Sequence, residues 1–252
     1  MRPLSGLPLF AQGDSISDAI CAALAGEGKG LSDGDVCVIA QKIVSKVEGR
    51  SRQLTELAIG AEALALAAAT DRPPALAQAI LDESDVIMRA HPAAIIARHR
   101  TGHVLANAGI DASNVAGADA GTVLFWPLDP DASARKIRAE LQAATGKRLG
   151  VVIADSMGRA WRIGTVGTAI GCAGIEVLED RRGRAVDLYG RTLQATVIAV
   201  ADSLAAMASL AMGEGDEGMP VAIVSGAGEW VTIDDGPGAI GGLRPVEQDM
   251  FQ

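Results

Sequence analysis

Aromatic residues make up only 3% of this 252-residue sequence, and long uninterrupted apolar runs are lacking. So few aromatic side chains argue against the base-stacking surfaces that bind single-stranded nucleic acids. The most apolar stretch, residues 193–212, is interrupted by Gln194 and Asp202, and it therefore favours a buried helix over a membrane span. Prolines and a glycine break the first eight residues, which makes them a poor signal peptide.

Cysteine is scarce and a net positive charge is absent. Cys21, Cys37 and Cys172 are widely spaced and form no CxxC pair, which favours a reducing cytoplasmic compartment. The formal net charge of -9 argues against a general nucleic-acid-binding surface, so an anionic ligand would need a local cationic pocket. The hydrophobic content of 49% over this length is sufficient for a sizeable core.

Hydrophobic patterning predicts a chain of mixed helices and strands. Helices are predicted at 15–24, 61–70, 75–84 and 131–144, the last with Asp131 as N-cap and Gly146 as its C-terminal stop. Strands are predicted at 35–40, 149–154 and 221–225, and a further strand is predicted to end at 124–126. The region 91–105 is predicted to contain strands, and the region 195–212 to contain a strand and a helix. Because no clean strand-helix-strand rhythm emerges, the pattern favours an α+β fold over a doubly wound sheet.

The segment 149–162 is the most informative, because an apolar strand there runs into a carboxylate, a hydroxyl and two guanidinium groups. Asp155 is predicted at the carboxyl end of the strand, where ligands tend to bind. A carboxylate and the Ser156 hydroxyl suit a hard divalent cation, while Arg159 and Arg162 suit phosphate or carboxylate oxygens. The alternative is that Asp155 and Ser156 merely cap the next turn.

Two further segments carry polar groups that could bind a metal or phosphates. Asp111 and Asn114 lie in a loop, and Asp111 could meet Asp155 across a cleft to complete a divalent site. The same residue types also simply make turns. Lys42 and Lys46 follow a predicted strand and could contact phosphates, although this spacing is equally typical of a solvated helix face.

An acidic glycine loop at 213–218 carries Glu214, Asp216 and Glu217. Glycines there would let the backbone approach a ligand while the carboxylates reach a metal. A disordered acidic loop is the alternative. His99 and His103 are poor metal ligands by pattern, because Gly102 disrupts a helix between them and no third histidine or cysteine is nearby.

Taken in order, the segments 39–50, 106–114, 129–138, 155–162, 169–171 and 212–220 resemble the coenzyme F420-0:γ-glutamyl ligase family. The resemblance extends over nearly the whole chain, and the stretch 243–251 is similar to the end of the family's ligase domain. We therefore expect a single ligase unit over residues 1–252 without a fused reductase domain.

The resemblance implies GTP-dependent addition of L-glutamate to coenzyme F420-0, followed by further γ-linked glutamates. The terminal carboxylate would be activated as an acyl phosphate, with GDP as a product. The implied architecture is α+β, with largely antiparallel sheets and a two-lobed subunit that forms an intertwined homodimer. We expect no nucleic-acid or membrane partner.

The resemblance also implies particular site residues. Mg²⁺ or Mn²⁺ would be held by Asp111, Asp155, Ser156 and Glu214, and K⁺ is a further candidate cation. The residues implied to contact GTP are Leu7, Pro8, Leu9, Phe10, Gln41, Lys42, Lys46, Asn114, Met212, Gly213, Gly215, Asp216, Glu217, Gly218 and Met219. From charge alone we infer that Arg159 and Arg162, with Arg191 as a third candidate, grip the anionic tail or glutamate.

The chain departs from the family pattern within 155–163. The family usually has Asp-Thr-Phe-Gly-Arg-Pro-Trp-Arg followed by Asn, whereas this chain has Asp-Ser-Met-Gly-Arg-Ala-Trp-Arg followed by Ile163. Ser156 keeps a ligand oxygen, so the reaction class is unaffected. The altered loop motivates one alternative function, a nucleotide- or F420-binding protein that has lost catalysis. A metal-dependent phosphohydrolase built on the same carboxylates is the second alternative.

Overall fold

A computed structural model describes residues 1–249, so the last two residues of the family-like stretch 243–251 lie outside the described residues. The α-helices of that range are α1 (Ile16–Gly26), α2 (Gln41–Val47), α3 (Ala61–Thr70), α4 (Pro74–Glu83), α5 (Pro130–Thr145) and α6 (Val200–Met212). The strands are β1 (Arg2–Pro3), β2 (Val36–Ala40), β3 (Ser51–Gln53), β4 (Ser84–His91), β5 (Ala94–His99), β6 (Val104–Ala106), β7 (Thr122–Leu124), β8 (Gly150–Gly158), β9 (Thr165–Ala173), β10 (Leu178–Asp180), β11 (Val197–Ala199) and β12 (Val221–Val224).

The central element is a five-stranded sheet in the order β1-β12-β2-β8-β9. Strands β2 and β8 run parallel in the register Val36–Gly150 to Ala40–Ala154, and every other neighbouring pair in the sheet is antiparallel. The remaining described sheets are small and antiparallel. The predicted α+β class with largely antiparallel sheets is therefore confirmed, while the two-lobed subunit and the intertwined dimer stay predictions.

Both faces of this sheet are buried, which explains why β8 has a continuous apolar run instead of an alternating pattern. Ile153 faces a core that also contains Ile20 of α1 and Leu141 of α5. The neighbouring Val152 faces the opposite core, together with Leu204 of α6. Successive residues of β8 thus alternate between two helical layers, and the end of the strand is held firmly in place.

Residues 51–124 form a further layer, apart from the two helical layers on the central sheet. Helices α3 and α4 pack on the antiparallel sheet β4-β5-β6 around a core that includes Ala63, Ile80 and Ile95. The end of α4 is joined to the segment between α2 and β3 by a buried ion pair in which Arg50 Nη2 lies 2.8 Å from Glu83 Oε2. Arg50 Nε also donates to the Trp126 carbonyl oxygen at 2.7 Å, so the same guanidinium group holds the segment that follows β7.

Most predicted elements match the observed ones, but two details were wrong. Asp129, not Asp131, caps α5, because its side chain accepts a hydrogen bond from the Ala132 N–H. Asp131 accepts instead from the backbone N–H of Cys172 and of Ala239, so it ties two later segments to the helix. The strand at 149–154 continues to Gly158, because its pairing with β9 extends beyond the end of β2.

The apolar run 193–212 contains a strand and a helix, as predicted. Its first residues form bends and the short strand β11, and the helix begins at Val200. Across residues 1–249, no helix is both long and apolar enough to cross a membrane.

Candidate functional site

A cavity of about 400 Å³ opens where the parallel strands β2 and β8 end. Strand β2 leads directly into α2 at Gln41, and β8 reaches Asp155 one residue after its last pair with β2. A β-bulge in β9 faces the Ile153–Ala154 step, immediately below Asp155. Bulges commonly redirect side chains next to active sites. The sheet topology therefore places Asp155 in the crevice where open sheets bind ligands.

The cavity brings together segments that lie far apart in the sequence. Three of the four predicted metal-binding residues, Asp155, Ser156 and Glu214, form part of its wall, whereas Asp111 does not. The predicted nucleotide-contacting residues all line it: Leu7, Pro8, Leu9, Phe10, Gln41, Lys42, Lys46, Asn114, Met212, Gly213, Gly215, Asp216, Glu217, Gly218 and Met219.

Hydrogen bonds fix both carboxylate oxygens of Asp155. Oδ2 accepts from Trp126 Nε1 at 2.8 Å, and Oδ1 accepts from the Ser156 N–H at 2.8 Å. Burial raises the pKa of Asp155 to about 6, although these hydrogen bonds oppose the shift. The side chain is thus held in one orientation in an environment that disfavours its charge, and a cation nearby would stabilise it.

Asp111 is paired with a cationic side chain. Its Oδ2 lies 2.7 Å from Lys42 Nζ, which also donates to Ser113 Oγ at 2.5 Å. Burial raises the pKa of Asp111, but hydrogen bonds from Lys42 and Ser113 and the charge of Lys42 outweigh it and lower the pKa. The ammonium group therefore supplies positive charge beside the carboxylate that was predicted to bind a metal.

Lys46 and Asn114 join three segments around the cavity. Lys46 Nζ donates to the Asn114 carbonyl oxygen at 2.7 Å, and Asn114 Nδ2 donates to the Gly215 carbonyl oxygen at 2.9 Å. Burial and the neighbouring charge of Lys42 lower the pKa of Lys46. Two lysines thus form the local cationic pocket that an anionic ligand of this acidic protein requires.

The acidic glycine loop folds back on itself instead of extending into solvent. Glu217 Oε2 accepts from the Gly215 N–H at 2.8 Å. A Cβ at Gly213, where φ is +78°, would lie only 2.2 Å from the Glu217 carboxyl carbon. Gly213 is therefore required for this loop to return across the end of α6.

Gln41 is a buried polar residue in the cavity wall. Its Nε2 donates to Ser45 Oγ at 2.6 Å, and its Oε1 has no hydrogen-bond partner within residues 1–249. A buried acceptor without a partner is costly. A ligand N–H group in the cavity would satisfy it.

The carboxylate and hydroxyl donors of this site fit a hard divalent cation in their chemistry. Asp155 is desolvated and Asp111 already lies against an ammonium group, as expected where a cation offsets buried negative charge. No three His, Cys, Asp or Glu side chains of residues 1–249 are grouped closely enough to hold a metal. Glu214, the third predicted carboxylate ligand, is exposed on the glycine loop.

The predicted arginines lie away from the cavity wall. Arg159 and Arg162 are exposed in the turn between β8 and β9, where Arg159 Nη1 donates to the Gly164 carbonyl oxygen at 3.1 Å. Trp161 and Ile163 in the same turn are almost fully exposed. Arg191 lies in the segment between β10 and β11, with Nε 3.4 Å from Asp187 Oδ2. The structure brings none of the three arginines into the lining of the cavity.

Trp126 is the residue of this site that the sequence reasoning missed. Its side chain is fully buried, and its ring centroid lies 4.9 Å from that of His99 and 5.5 Å from that of His103. The two histidines thus pack on an indole. The sequence indicated only that a strand ends near Trp126, because nothing in a one-dimensional pattern pairs it with Asp155.

Comparison with known proteins identifies a family and several relatives. The model of the F420-0:Gamma-glutamyl ligase family matches residues 6–226. A Coenzyme F420:L-glutamate ligase of Methanothermobacter thermautotrophicus is 47% identical over 249 residues, which cover 99% of this chain and 97% of the relative. Proteins of the same name are 44% identical in Archaeoglobus fulgidus, over 89% of this chain and 86% of the relative, and 42% identical in Methanocaldococcus jannaschii, over 98% and 94%.

Proposed function

The chain belongs to the F420-0:gamma-glutamyl ligase family, and from this premise we propose that it joins L-glutamate to coenzyme F420-0 in a GTP-dependent reaction. Further γ-linked glutamates are added in the same way, and the products of each cycle include GDP and phosphate. The relatives' shared name supports the ligase activity and its two substrates, coenzyme F420 and L-glutamate. The use of GTP and the acyl-phosphate intermediate are proposals that go beyond this shared name.

The observation that carries the proposal is the cavity at the ends of β2 and β8. At about 400 Å³ it falls within the usual size range of small-molecule sites. One wall is cationic, with Lys42 and Lys46, and the adjoining wall is acidic, with Asp155 and Glu214. Phosphate oxygens beside lysines and a metal beside carboxylates are the two requirements of phosphoryl transfer.

GTP would lie with its phosphates toward the lysines and its base toward the N-terminal segment. The apolar side chains of Leu7 and Phe10 supply surface for a planar base. The Gln41 Oε1 atom, buried and without a partner in the described chain, would accept a hydrogen bond from a base N–H group. This arrangement supports a purine nucleotide as the occupant.

Asp111, Asp155, Ser156 and Glu214 would hold Mg²⁺ or Mn²⁺. When bound, such a cation neutralises charge on the phosphates during transfer. Asp155 is ready for this role because both its oxygens are already oriented. A bound cation would take the place of the Lys42 ammonium beside Asp111, and Lys42 would then be available to a phosphate oxygen.

The reaction proceeds in two balanced steps. The F420-0 carboxylate oxygen attacks the γ-phosphorus of GTP, the bond to the β-phosphate breaks, and an acyl phosphate and GDP form. The glutamate amine then attacks the acyl carbon, phosphate leaves, and the amine loses a proton as the amide forms. A carboxylate is unreactive toward amines, so the protein positions the groups, stabilises charge and excludes water.

The acceptor tail is proposed to contact the exposed turn between β8 and β9. Arg159 and Arg162 present guanidinium groups there, suited to carboxylate and phosphate oxygens. The flanking Trp161 and Ile163, together with Leu188 and Tyr189 between β10 and β11, are large exposed apolar side chains. Such exposure supports a homodimer in which a second copy covers them.

The deciding experiment follows F420-0 by mass spectrometry after incubation with GTP, L-glutamate and Mg²⁺ or Mn²⁺. We expect products heavier by one or more glutamyl units, formed only when all components are present, with one GDP released per glutamate. Tight GTP or F420 binding without product would indicate a protein that has lost catalysis. Full-rate GTP hydrolysis without glutamate would indicate a phosphohydrolase.

A further inference from the structure

Trp126 occupies a fully buried position between the strand end of β7 and the candidate site. Its ring packs on His99 and His103 at centroid separations of 4.9 and 5.5 Å. This enclosure leaves the indole no freedom to rotate, so the direction of its N–H group is fixed by the fold.

The N–H group of that indole meets the carboxylate of Asp155. Nε1 donates to Oδ2 at 2.8 Å, while the second oxygen accepts from the adjacent Ser156 N–H. The backbone donor alone would leave the plane of the carboxylate free to turn. With both donors in place, each oxygen keeps one lone-pair direction open and the rotation of the side chain is blocked.

The same indole also touches the loop that carries Asp111. A Cβ at Gly109 would lie 2.4 Å from Trp126 Nε1, and φ at this glycine is +71°. Only a residue without a side chain therefore lets the loop pass so close to the ring. Asp111 follows two residues later and pairs with Leu124 of β7 through backbone hydrogen bonds in both directions.

We propose that Trp126 is a positioning residue, whose indole N–H orients the Asp155 carboxylate and whose ring sets the spacing between Asp155 and the Asp111 loop. The proposal rests on the proposed metal-dependent function, because it concerns how two carboxylates are presented to a divalent cation. Hydrogen-bonded partners of ligating carboxylates commonly tune metal affinity in this way.

Trp126→Phe tests the proposal, because phenylalanine keeps an aromatic ring in the core but has no N–H donor. Trp230→Phe is a matched control, since Trp230 Nε1 also donates to a carboxylate, Glu179 Oε2, at 3.0 Å, and neither residue lines the cavity. Mn²⁺ affinity is measured by electron paramagnetic resonance on the full chain, beside ligase kinetics and thermal melting without metal.

We expect Trp126→Phe to weaken Mn²⁺ binding by about 10- to 100-fold, and Trp230→Phe to leave it unchanged. The Mn²⁺ concentration for half-maximal ligase activity should rise by the same factor, while KM for glutamate stays constant. Added Mn²⁺ should restore part of the lost rate, which it would not do if the substitution had only loosened the core.

A double variant separates action through Asp155 from an independent effect. Combined with Asp155→Asn, benzothienylalanine at position 126, which leaves the spacing of the Asp111 loop in place, should weaken Mn²⁺ binding no further than Asp155→Asn does alone. If Trp126→Phe does not fold, benzothienylalanine at position 126 keeps the shape of the ring system and removes only the donor, and the same loss of affinity is expected.

Unchanged Mn²⁺ affinity in the folded variant would overturn the positioning role and leave the ligase proposal intact. Wild-type protein that neither binds Mn²⁺ nor forms product would overturn the proposed function, and this inference with it.

Discussion

Trp126 Nε1 and Asp155 Oδ2 are joined by a 2.8 Å hydrogen bond between a fully buried indole and a carboxylate in the wall of the cavity. The bond fixes the direction of the carboxylate without neutralising it, and burial raises the pKa of Asp155 to about 6. An oriented carboxylate in a poorly solvated place is costly for folding and well suited to binding a cation.

Asp155→Asn should reduce ligase activity by about a thousandfold or more, which corresponds to about 4 kcal/mol of barrier. The amide keeps the size of the side chain but removes an anionic oxygen from the divalent site. Initial rates at saturating GTP, glutamate and Mg²⁺ measure the loss.

The stability of the same variant should change little, by about 1 kcal/mol or less. Asparagine can accept from only one of the two donors, Trp126 Nε1 or the Ser156 N–H, and this loss offsets the gain from removing a desolvated charge. Denaturant unfolding without metal provides the check. Near-wild-type activity in a folded Asp155→Asn variant would remove this residue from the site.

Much of the fold could be predicted because the decisive signals are local. Ala61–Thr70 matches its predicted bounds, and Gly146 ends α5 in the left-handed conformation that favours glycine. The cap of α5 was misplaced because Asp129 and Asp131 both precede or begin the same helix, and only tertiary contacts decide between them. The Asp131 carboxylate accepts hydrogen bonds from the N–H groups of Cys172 and Ala239, which are distant in sequence.

The sequence predicted residues that the fold brings together around the cavity, but it did not predict how they pair. Every residue that the resemblance implied to contact the nucleotide lines the cavity, yet the ion pair between Lys42 and Asp111 spans 69 positions of sequence and leaves no periodic trace. Trp126 was invisible as a site residue for the same reason. Its role depends on Gly109 and Asp155, which the fold brings to it from two directions.

Lys42→Ala should weaken GTP binding by about 10- to 100-fold, the usual cost of losing a charge-assisted hydrogen bond. The same change leaves Asp111 without its ammonium partner, which lies at 2.7 Å. Fluorescent GTP analogue titration measures the affinity. Lys136→Ala, on the exposed surface of α5, is the control and should bind as wild type does. Equal affinities in both variants would place the phosphates elsewhere.

The double change Arg159→Ala and Arg162→Ala should raise KM for F420-0 by about tenfold or more, while GTP and Mn²⁺ affinities stay at wild-type values. Both arginines lie outside the cavity wall, so their effect should be confined to the acceptor. Steady-state kinetics with each substrate varied in turn distinguishes an effect on F420-0 from an effect on GTP or glutamate. The double change Arg135→Ala and Lys136→Ala, at two cations on the surface of α5, removes the same two charges and serves as a control for net charge. An unchanged KM for F420-0 would contradict the assignment of the turn to the acceptor tail.

Glu83 should make the protein acid-sensitive. Burial raises its pKa, but the imidazole of His99, whose Nε2 lies 3.5 Å from Glu83 Oε2, and the charge of Arg50 outweigh this and hold the pKa below its ordinary value of 4.5. A carboxyl group whose pKa is lower in the folded state stabilises the fold above the unfolded pKa, and this contribution is lost as the pH falls below about 4.5. Wild-type stability should therefore decline as the pH falls below about 4.5.

Glu83→Gln should remove that acid-sensitive contribution and leave Arg50 buried without its 2.8 Å partner. The free energy of unfolding at pH 7 should fall by about 3 kcal/mol, because an uncompensated buried charge remains. Urea unfolding at pH 4, 5 and 7 measures both effects, with the exposed Glu62→Gln in α3 as control. Because the variant cannot titrate at position 83, its stability should change less between pH 5 and 4 than that of the wild type; an equal change would show that Glu83 is not the acid-sensitive group.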